Sequence, residues 1–148
     1  MRVCILPWKS VLNNILFPAA MSKKDDAETK SKALSLLEEF RLAERCDDFP
    51  YRLSEGEKQI INVIRCICTP ASVVLLDEPF AALNSHVRVK IKTLLAEFAK
   101  GRSTVLVTHD PVDCDLPLNR FFLISDSVVE EVDSKRAKDF LSNVISKA

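Results

Sequence analysis

Apolar residues recur along this chain with two different periods, and the period changes near its middle. A helical spacing predicts helices over about Ser10–Ala20, Ala27–Phe40 and Ser54–Cys68, and later over about Ser85–Lys100 and Ser134–Ser146. The apolar stripes of the second and third helices are formed by Ala33, Leu34, Leu37 and Phe40, and by Ile60, Ile61, Ile64 and Ile67. Ser54 stands three residues before Glu57, which predicts a capping box at the start of the third helix. Gly101 is expected to follow the end of the fourth helix.

Three short apolar runs in the second half predict strands rather than helices. Val73–Leu76 is continuously apolar, a pattern typical of a strand buried on both faces of a parallel sheet, and Thr104–Val107 and Phe121–Ile124 are predicted as a second and a third buried strand. Val128–Val132 follows the last run after a turn at Asp126-Ser127. Because strands alternate with helices, we expect an α/β fold built on parallel strands.

Composition narrows the function classes. The chain has 148 residues, of which 47% are hydrophobic and 28% charged, as in globular proteins. Its formal net charge is zero, which provides no field to attract nucleic acid. Its five cysteines are an odd, scattered set, so we expect free thiols in a reducing cytoplasm. No apolar run reaches 18 residues, so we expect a cytoplasmic chain, or one held at the inner membrane face by a partner.

Three short motifs carry residues suited to phosphate chemistry. Asp77 and Glu78 follow the first apolar strand, where one carboxylate could hold Mg²⁺ and the other could act on water. Ser54 lies at a helix start, which is a favourable place for an anion. Thr108-His109-Asp110 follows the second strand. Alone, each has an ordinary interpretation: a solvated strand end, a helix cap and a surface histidine.

Taken in order, the motifs resemble those of the ABC ATPases. Leu53–Glu57 resembles the signature motif, Val73–Pro79 the Walker B strand, Ala81–Asn84 the D-loop and Val107–Asp110 the switch-histidine segment. Ile5–Trp8, followed by Val11, Asn14 and Ile15, resembles the stretch after the Q-loop in importer subunits of the nitrate and taurine type.

The resemblance implies ATP and Mg²⁺ as cofactors, with a role for each matching residue. Asp77 would position Mg²⁺ through water, Glu78 would polarise the attacking water and His109 would contact the γ-phosphate. The residues that would reach ATP in trans across a dimer are Ser54, Glu55, Gly56 and Glu57, and those along the dimer seam are Ala82, Leu83 and Asn84. The implied partners are a second copy or a complementary ATPase chain, and a membrane permease.

The sequence also departs from the family pattern. Its two glycines, Gly56 and Gly101, cannot form a G-x-x-x-x-G-K-[ST] motif, so the phosphate-gripping Walker A loop is absent from these residues. Aligned on the importer-like stretch, the Q-loop glutamine would fall at Met1. Glu55 and Glu57 add negative charge to the signature, and Asn84 replaces the usual D-loop aspartate. We therefore expect an incomplete P-loop NTPase core that is inactive alone.

The division expected from the motifs is a helical subdomain over residues 1–70 and a partial α/β core over residues 71–148. The resemblance places the Walker A strand between the two later apolar strands, so that slot would be empty. A non-catalytic binding protein that keeps the permease-docking or dimer surface is an alternative. A DNA-maintenance ATPase of the chromosome-structure type is disfavoured, since about 45 residues between Trp8 and Leu53 leave no room for a long coiled coil.

Overall fold

The computed structural model describes residues 5–22, 27–125 and 127–146, and in these ranges it contains helices and strands in mixed order. Met1, Cys4 and Asp126 lie outside the described residues. The elements in chain order are α1 (Val11–Met21), α2 (Ala27–Glu39), α3 (Glu55–Cys68), β1 (Val73–Asp77), α4 (Ser85–Ala99), β2 (Ser103–Val107), β3 (Phe121–Ser125), β4 (Val128–Val132) and α5 (Ser134–Ile145). Three short 3₁₀ turns, Ala43–Arg45, Pro50–Arg52 and Pro111–Asp115, connect them. The predicted elements are confirmed to within about two residues at their ends.

The helical core is built around α3, which packs against both α1 and α2. Its buried face is the predicted one, because Ile60, Ile61, Ile64 and Ile67 are all buried. The stripe predicted for α2 was wrong at Leu34, which is exposed, while its neighbour Leu36 is buried. The true spacing of Ala33, Leu36 and Leu37 follows one face of a helix more closely.

Buried Asn14 ties the segment before α1 to the helix. Its Oδ1 accepts a hydrogen bond from the Leu6 N–H at 2.8 Å, and its Nδ2 donates to the carbonyls of Leu6, Lys9 and Ser10. Every polar atom of this buried amide is therefore partnered, as burial requires. The bonds fix residues 6–10 across the start of α1.

β1 and β2 form a two-stranded sheet joined through α4. The Ser103 N–H donates to the Ser72 carbonyl at 3.0 Å, so the two strands begin side by side and run parallel. The parallel pairing is confirmed, but burial on both faces was wrong: Val74 is buried, whereas Leu75 is 75% and Val105 is 53% exposed. A strand covered on one face alternates in exposure even where its sequence is continuously apolar.

β3 and β4 form a separate antiparallel hairpin, with Phe121 opposite Val132 and Ser125 opposite Val128. The prediction of a third strand buried in a parallel sheet was wrong for β3. Its alternate residues Phe122 and Ile124 are exposed, and the described strands pair it only with β4. A short turn between the two runs favours the antiparallel neighbour over a distant parallel one.

Compactness divides the chain into residues 1–106 and residues 107–148. The first unit holds α1 to α4 with β1, and the second holds the hairpin and α5, which packs on the Pro111–Asp115 turn. The division at residue 70 stays a prediction about functional modules. No helix in the described ranges is long and apolar enough to cross a membrane. Cys46, Cys66, Cys68 and Cys114 are all unpaired thiols.

Candidate functional site

The start of α3 is a complete capping box, as the sequence predicts. Ser54 is the N-cap, and its Oγ accepts a hydrogen bond from the Glu57 N–H at 3.3 Å. In return, Glu57 Oε2 accepts from both the Ser54 N–H and the Ser54 hydroxyl, each at 2.8 Å. Two of the unpaired N–H groups at this helix end are thereby satisfied within the chain.

The carboxylate of Glu57 occupies the position at the helix end that favours an anion. The pKa of Glu57 lies below its ordinary value, chiefly because the Ser54 N–H donates to its carboxylate. The Ser54 hydroxyl and the Arg45 guanidinium, 3.5 Å away, lower this pKa further by smaller amounts. Glu57 is therefore charged at neutral pH. Glu55 is exposed and paired with Lys58 at 2.6 Å. A phosphate that approached Ser54 would meet two carboxylates and would have to displace one.

The end of β1 presents the two predicted acidic residues differently. Asp77, the last residue of β1, is exposed, while Glu78 is half-buried. Glu78 has a φ of 47°, in the left-handed region that residues other than glycine rarely adopt. The Ala81 N–H donates to the Glu78 carbonyl at 3.2 Å and closes the turn. The backbone thus changes direction sharply at the residue proposed to act on water.

Two contacts connect this turn to α3. The Gln59 side-chain Nε2 donates to the carbonyl of Glu78 at 3.2 Å and to that of Pro79 at 2.8 Å. A Cβ added to Gly56 would lie 3.0 Å from the Ala82 carbonyl oxygen, a tighter contact than most Cβ atoms make. The lack of a side chain at Gly56 therefore permits α3 to lie directly against the segment after β1. The structure brings the signature-like and Walker B-like segments together.

The D-loop-like segment leads into α4. Ala82 has a left-handed φ of 60°, and Leu83 is half-buried. Asn84 is exposed and is the N-cap of α4, its Oδ1 accepting from the Val87 N–H at 2.9 Å. Asparagine is among the best N-cap residues, so its replacement of the family aspartate retains the cap. A place for these residues along a dimer seam stays a prediction.

His109 belongs to the second compact unit, whereas Asp77 and Glu78 belong to the first. His109 is exposed directly after β2. Its backbone is fixed from both sides, because the Thr108 hydroxyl donates to buried Asp113 at 2.7 Å and the Asp110 N–H donates to Thr108 Oγ1 at 3.1 Å. The sequence reasoning did not single out Asp113, which anchors this turn. The sequence feature that could have identified Asp113 is an acidic residue within the short turn that follows the histidine.

Gln59 is the other residue that the sequence reasoning missed. It is 1% exposed and lies on the buried face of α3 beside Ile60. A glutamine on the apolar stripe of an amphipathic helix is an exception, because a buried amide is costly unless it is hydrogen-bonded. That exception was the available signal.

A cavity of about 310 Å³ lies between α3 and the end of β1, and its lining includes Gln59, Arg65, Leu76 and Asp77. In the described parts of the chain, no cluster of three or more His, Cys, Asp or Glu side chains could hold a metal ion. Mg²⁺ is commonly held by one or two carboxylates together with waters and substrate phosphates. Exposed Asp77 fits such a site when phosphate is present, and does not form one alone.

Comparison with known proteins gives a consistent result. The family described as "ABC transporter" matches residues 2–81. The trimethylamine N-oxide transport ATP-binding protein TmoW of Ruegeria pomeroyi is 32% identical over 88% of this chain and 39% of its own length. The aliphatic sulfonates import ATP-binding protein SsuB of a Mycobacterium strain is 35% identical over 84% of this chain and 52% of its own. The chain spans about half the length of these relatives, or less.

The fold gives the same result independently of close sequence identity. A solved metal-chelate type ABC transporter in an inward-facing conformation superposes with a TM-score of 0.68, at 23% identity, over 88% of this chain and 54% of that one. The α/β class and the similarity to the P-loop NTPase core of ABC transporters are thus confirmed. By its family match and its relatives, this chain belongs to the ABC transporter ATP-binding family.

Proposed function

We propose that this chain supplies the signature, Walker B, D-loop and switch-histidine part of a transporter ATPase and hydrolyses no ATP by itself. The observation that carries the proposal is the direct connection of α3 to the turn after β1. Gly56, in the signature-like segment, lies against the Ala82 carbonyl, and Gln59, two residues after that segment, donates to the carbonyl of Glu78. Because residues 1–148 contain no Walker A motif, most phosphate contacts of such a site would come from residues outside these 148.

In this proposal each predicted residue keeps its role. Asp77 would hold Mg²⁺ through water, Glu78 would polarise the attacking water and His109 would contact the γ-phosphate. Ser54 and Gly56 face the nucleotide of a partner subunit in trans. The partners are a second copy or a complementary ATPase chain, and a membrane permease to which the subunit docks at the cytoplasmic face. The names of the relatives differ in substrate, so none is assigned here.

Two experiments test the proposal. Equilibrium titration of the isolated chain with labelled ATP and Mg²⁺ is expected to show only weak binding, and a dissociation constant in the low micromolar range would contradict it. Addition of a fragment with a Walker A loop and a Q-loop glutamine is expected to restore some hydrolysis. Glu78→Gln should abolish that restored activity without preventing fragment binding, and His109→Ala should reduce it. Failure of the fragments to associate would refute the complementation.

A non-catalytic binding role is the second candidate, and one observation favours it. The Glu57 carboxylate already accepts the hydrogen bonds that Ser54 would otherwise offer to phosphate. If fragments associate yet no hydrolysis appears, and Glu57→Gln does not restore it, the binding role is supported. If Glu57→Gln permits hydrolysis, the acidic signature is what limits an otherwise competent site.

A further inference from the structure

We propose that Gln59 is a positioning residue that holds the turn carrying Glu78 in its left-handed conformation. The chemical importance of that turn rests on the function proposed above, but the positioning itself concerns only contacts within the first compact unit. Gln59 lies two residues beyond the capping box, on the face of α3 that meets the segment after β1.

The orientation of the Gln59 amide is determined by its neighbours. Two carbonyl oxygens, those of Glu78 and Pro79, lie 3.2 and 2.8 Å from Nε2. Only the NH₂ group can donate to both, since the reversed amide would place oxygen against oxygen. The opposite atom, Oε1, is buried and has no hydrogen-bond partner in the described parts of the chain.

The unpaired oxygen shows that this amide is a poor choice for stability alone. A buried acceptor without a partner is destabilising, and an apolar side chain of similar size would pack on α3 without that cost. The two donated bonds must therefore be explained by their local effect. They hold the carbonyls of Glu78 and Pro79, next to a φ of 47° at Glu78 that is unfavourable for glutamate.

The turn has one other described backbone bond at this carbonyl, from the Ala81 N–H to Glu78 at 3.2 Å. If the Gln59 amide is removed, the hydrogen bond from Ala81 must stabilise the unfavourable φ of Glu78 without the two bonds from Gln59. We expect the turn to open more often while the core of α3 remains closed. The amide of Ala81 reports the turn, and the amide of Ile64 reports the α3 core.

The test uses the isolated full chain and the substitution Gln59→Met, which keeps the length of the side chain and removes its donors. Hydrogen exchange at the Ala81 amide is expected to accelerate by about 10-fold or more, the loss expected for one or two hydrogen bonds. Exchange at Ile64 and the melting temperature should change little. The control Asn62→Ala, on the same helix and lining the same cavity, should leave Ala81 protection unchanged.

A rescue separates positioning from general packing. In Gln59→Glu, the charged carboxylate cannot donate, whereas its protonated form can donate to one carbonyl. Protection factors at Ala81 should therefore be low at neutral pH and rise as pH falls. Unchanged Ala81 protection in Gln59→Met overturns the proposal. So does a loss of protection spread equally over α3, because Gln59 would then be only a packing residue.

In the complemented ATPase, Gln59→Met should lower kcat by about 10-fold or more and change KM by less than about twofold, since only the turn is disturbed. If Glu78→Gln abolishes hydrolysis and Gln59→Met leaves kcat intact, the positioning proposal is wrong. If no hydrolysis is restored at all, the proposed function fails, and exchange in the isolated chain still decides the role of Gln59.

Discussion

The capping box at α3 gives the sharpest prediction about stability. Ser54→Ala removes two described hydrogen bonds, one accepted from the Glu57 N–H at 3.3 Å and one donated to Glu57 Oε2 at 2.8 Å. The first bond is long, and both bonds lie near the surface. Their combined contribution to stability should therefore be near the middle of the range measured when an N-cap residue is replaced. We expect the free energy of unfolding to fall by about 1 kcal/mol. Ser54→Thr keeps the hydroxyl, so its loss in the free energy of unfolding should be only about a few tenths of the loss for Ser54→Ala.

Glu57→Ala should cost a similar amount, about 1 kcal/mol, because it removes the acceptor of the Ser54 N–H and the half-buried pair with Arg45, at 3.5 Å, contributes little. The bond between Ser54 Oγ and Glu57 Oε2 is lost in either variant. The double variant should therefore cost less than the sum of the two, by about 0.5 kcal/mol or more. Urea unfolding followed by circular dichroism measures all four proteins. Strict additivity would show that the two side chains do not interact in solution.

The pH dependence of this coupling has a definite sign. The folded pKa of Glu57 lies below its ordinary value of 4.5, since the Ser54 N–H stabilises the carboxylate. The stabilisation is therefore complete above pH 4.5 and is lost as the pH falls through the lower folded value. The coupling energy should shrink in that acidic range and stay constant between about pH 6 and 8. A coupling that grew on acidification would refute the reasoning.

Three further predictions test contacts in the first compact unit. Gly56→Ala should destabilise the chain by about 1 kcal/mol despite the higher helix propensity of alanine, because the new Cβ meets the Ala82 carbonyl; a stabilised variant in urea would contradict that contact. Ile64→Ala, at a fully buried position, should cost about 3 kcal/mol, and a loss below roughly 1 kcal/mol would mean that α3 is loosely packed. The purified chain should self-associate at micromolar concentration through the sheet face that exposes Leu75 and Val105, and their joint replacement by lysine should reduce it; a wild-type monomer in sedimentation would refute this.

The helices were predictable because local signals agree with one another. In α3, the Ser54–Glu57 spacing and the isoleucine stripe both indicate the same helix. Gly101 has a left-handed φ of 73° directly after α4, as its position predicts. Such features depend on residues within one or two turns, and a single sequence contains all of them.

The strands were predictable in position but not in environment. A continuous apolar run indicates that a strand has two faces suited to burial, but the neighbours that cover those faces are distant in sequence. Leu75 and Ile124 are therefore exposed in strands whose existence was correctly predicted. The antiparallel pairing of β3 likewise depends on how closely β4 follows it in the chain rather than on the run itself. Pairing partners are a tertiary property, and periodicity carries little information about them.

The candidate site divides in the same way between local and distant information. Asp77, Glu78 and His109 were found because each follows an apolar strand, whereas Gln59 was missed because its partners are the carbonyls of residues 19 and 20 positions away. Those carbonyls lie in a turn whose left-handed φ at Glu78 is not predicted by any pattern in the sequence. A buried polar residue on an apolar stripe is thus the only sequence trace of such a contact, and it indicates a hydrogen-bond requirement without naming the partner.

The acidic signature has a consequence that connects the site to its proposed partner. At the start of α3, the Ser54 N–H and hydroxyl are both engaged by the Glu57 carboxylate, which already carries the negative charge that this helix end favours. A nucleotide phosphate brought to the same place must displace that carboxylate and overcome its repulsion. With glutamine at residue 57, that side chain would be neutral and its share of the repulsion would disappear, although the cap could still form. The affinity of a partner-bound nucleotide for this surface should therefore be higher for Glu57→Gln than for the wild-type chain. If Arg45 approaches the phosphate, the affinity of both proteins should also rise at low ionic strength. Titration of a nucleotide-loaded complementary fragment into the two proteins, at two salt concentrations, separates the effect of Glu57 from that of Arg45. Equal affinities of the two proteins at both salt concentrations would show that Glu57 does not control access to Ser54.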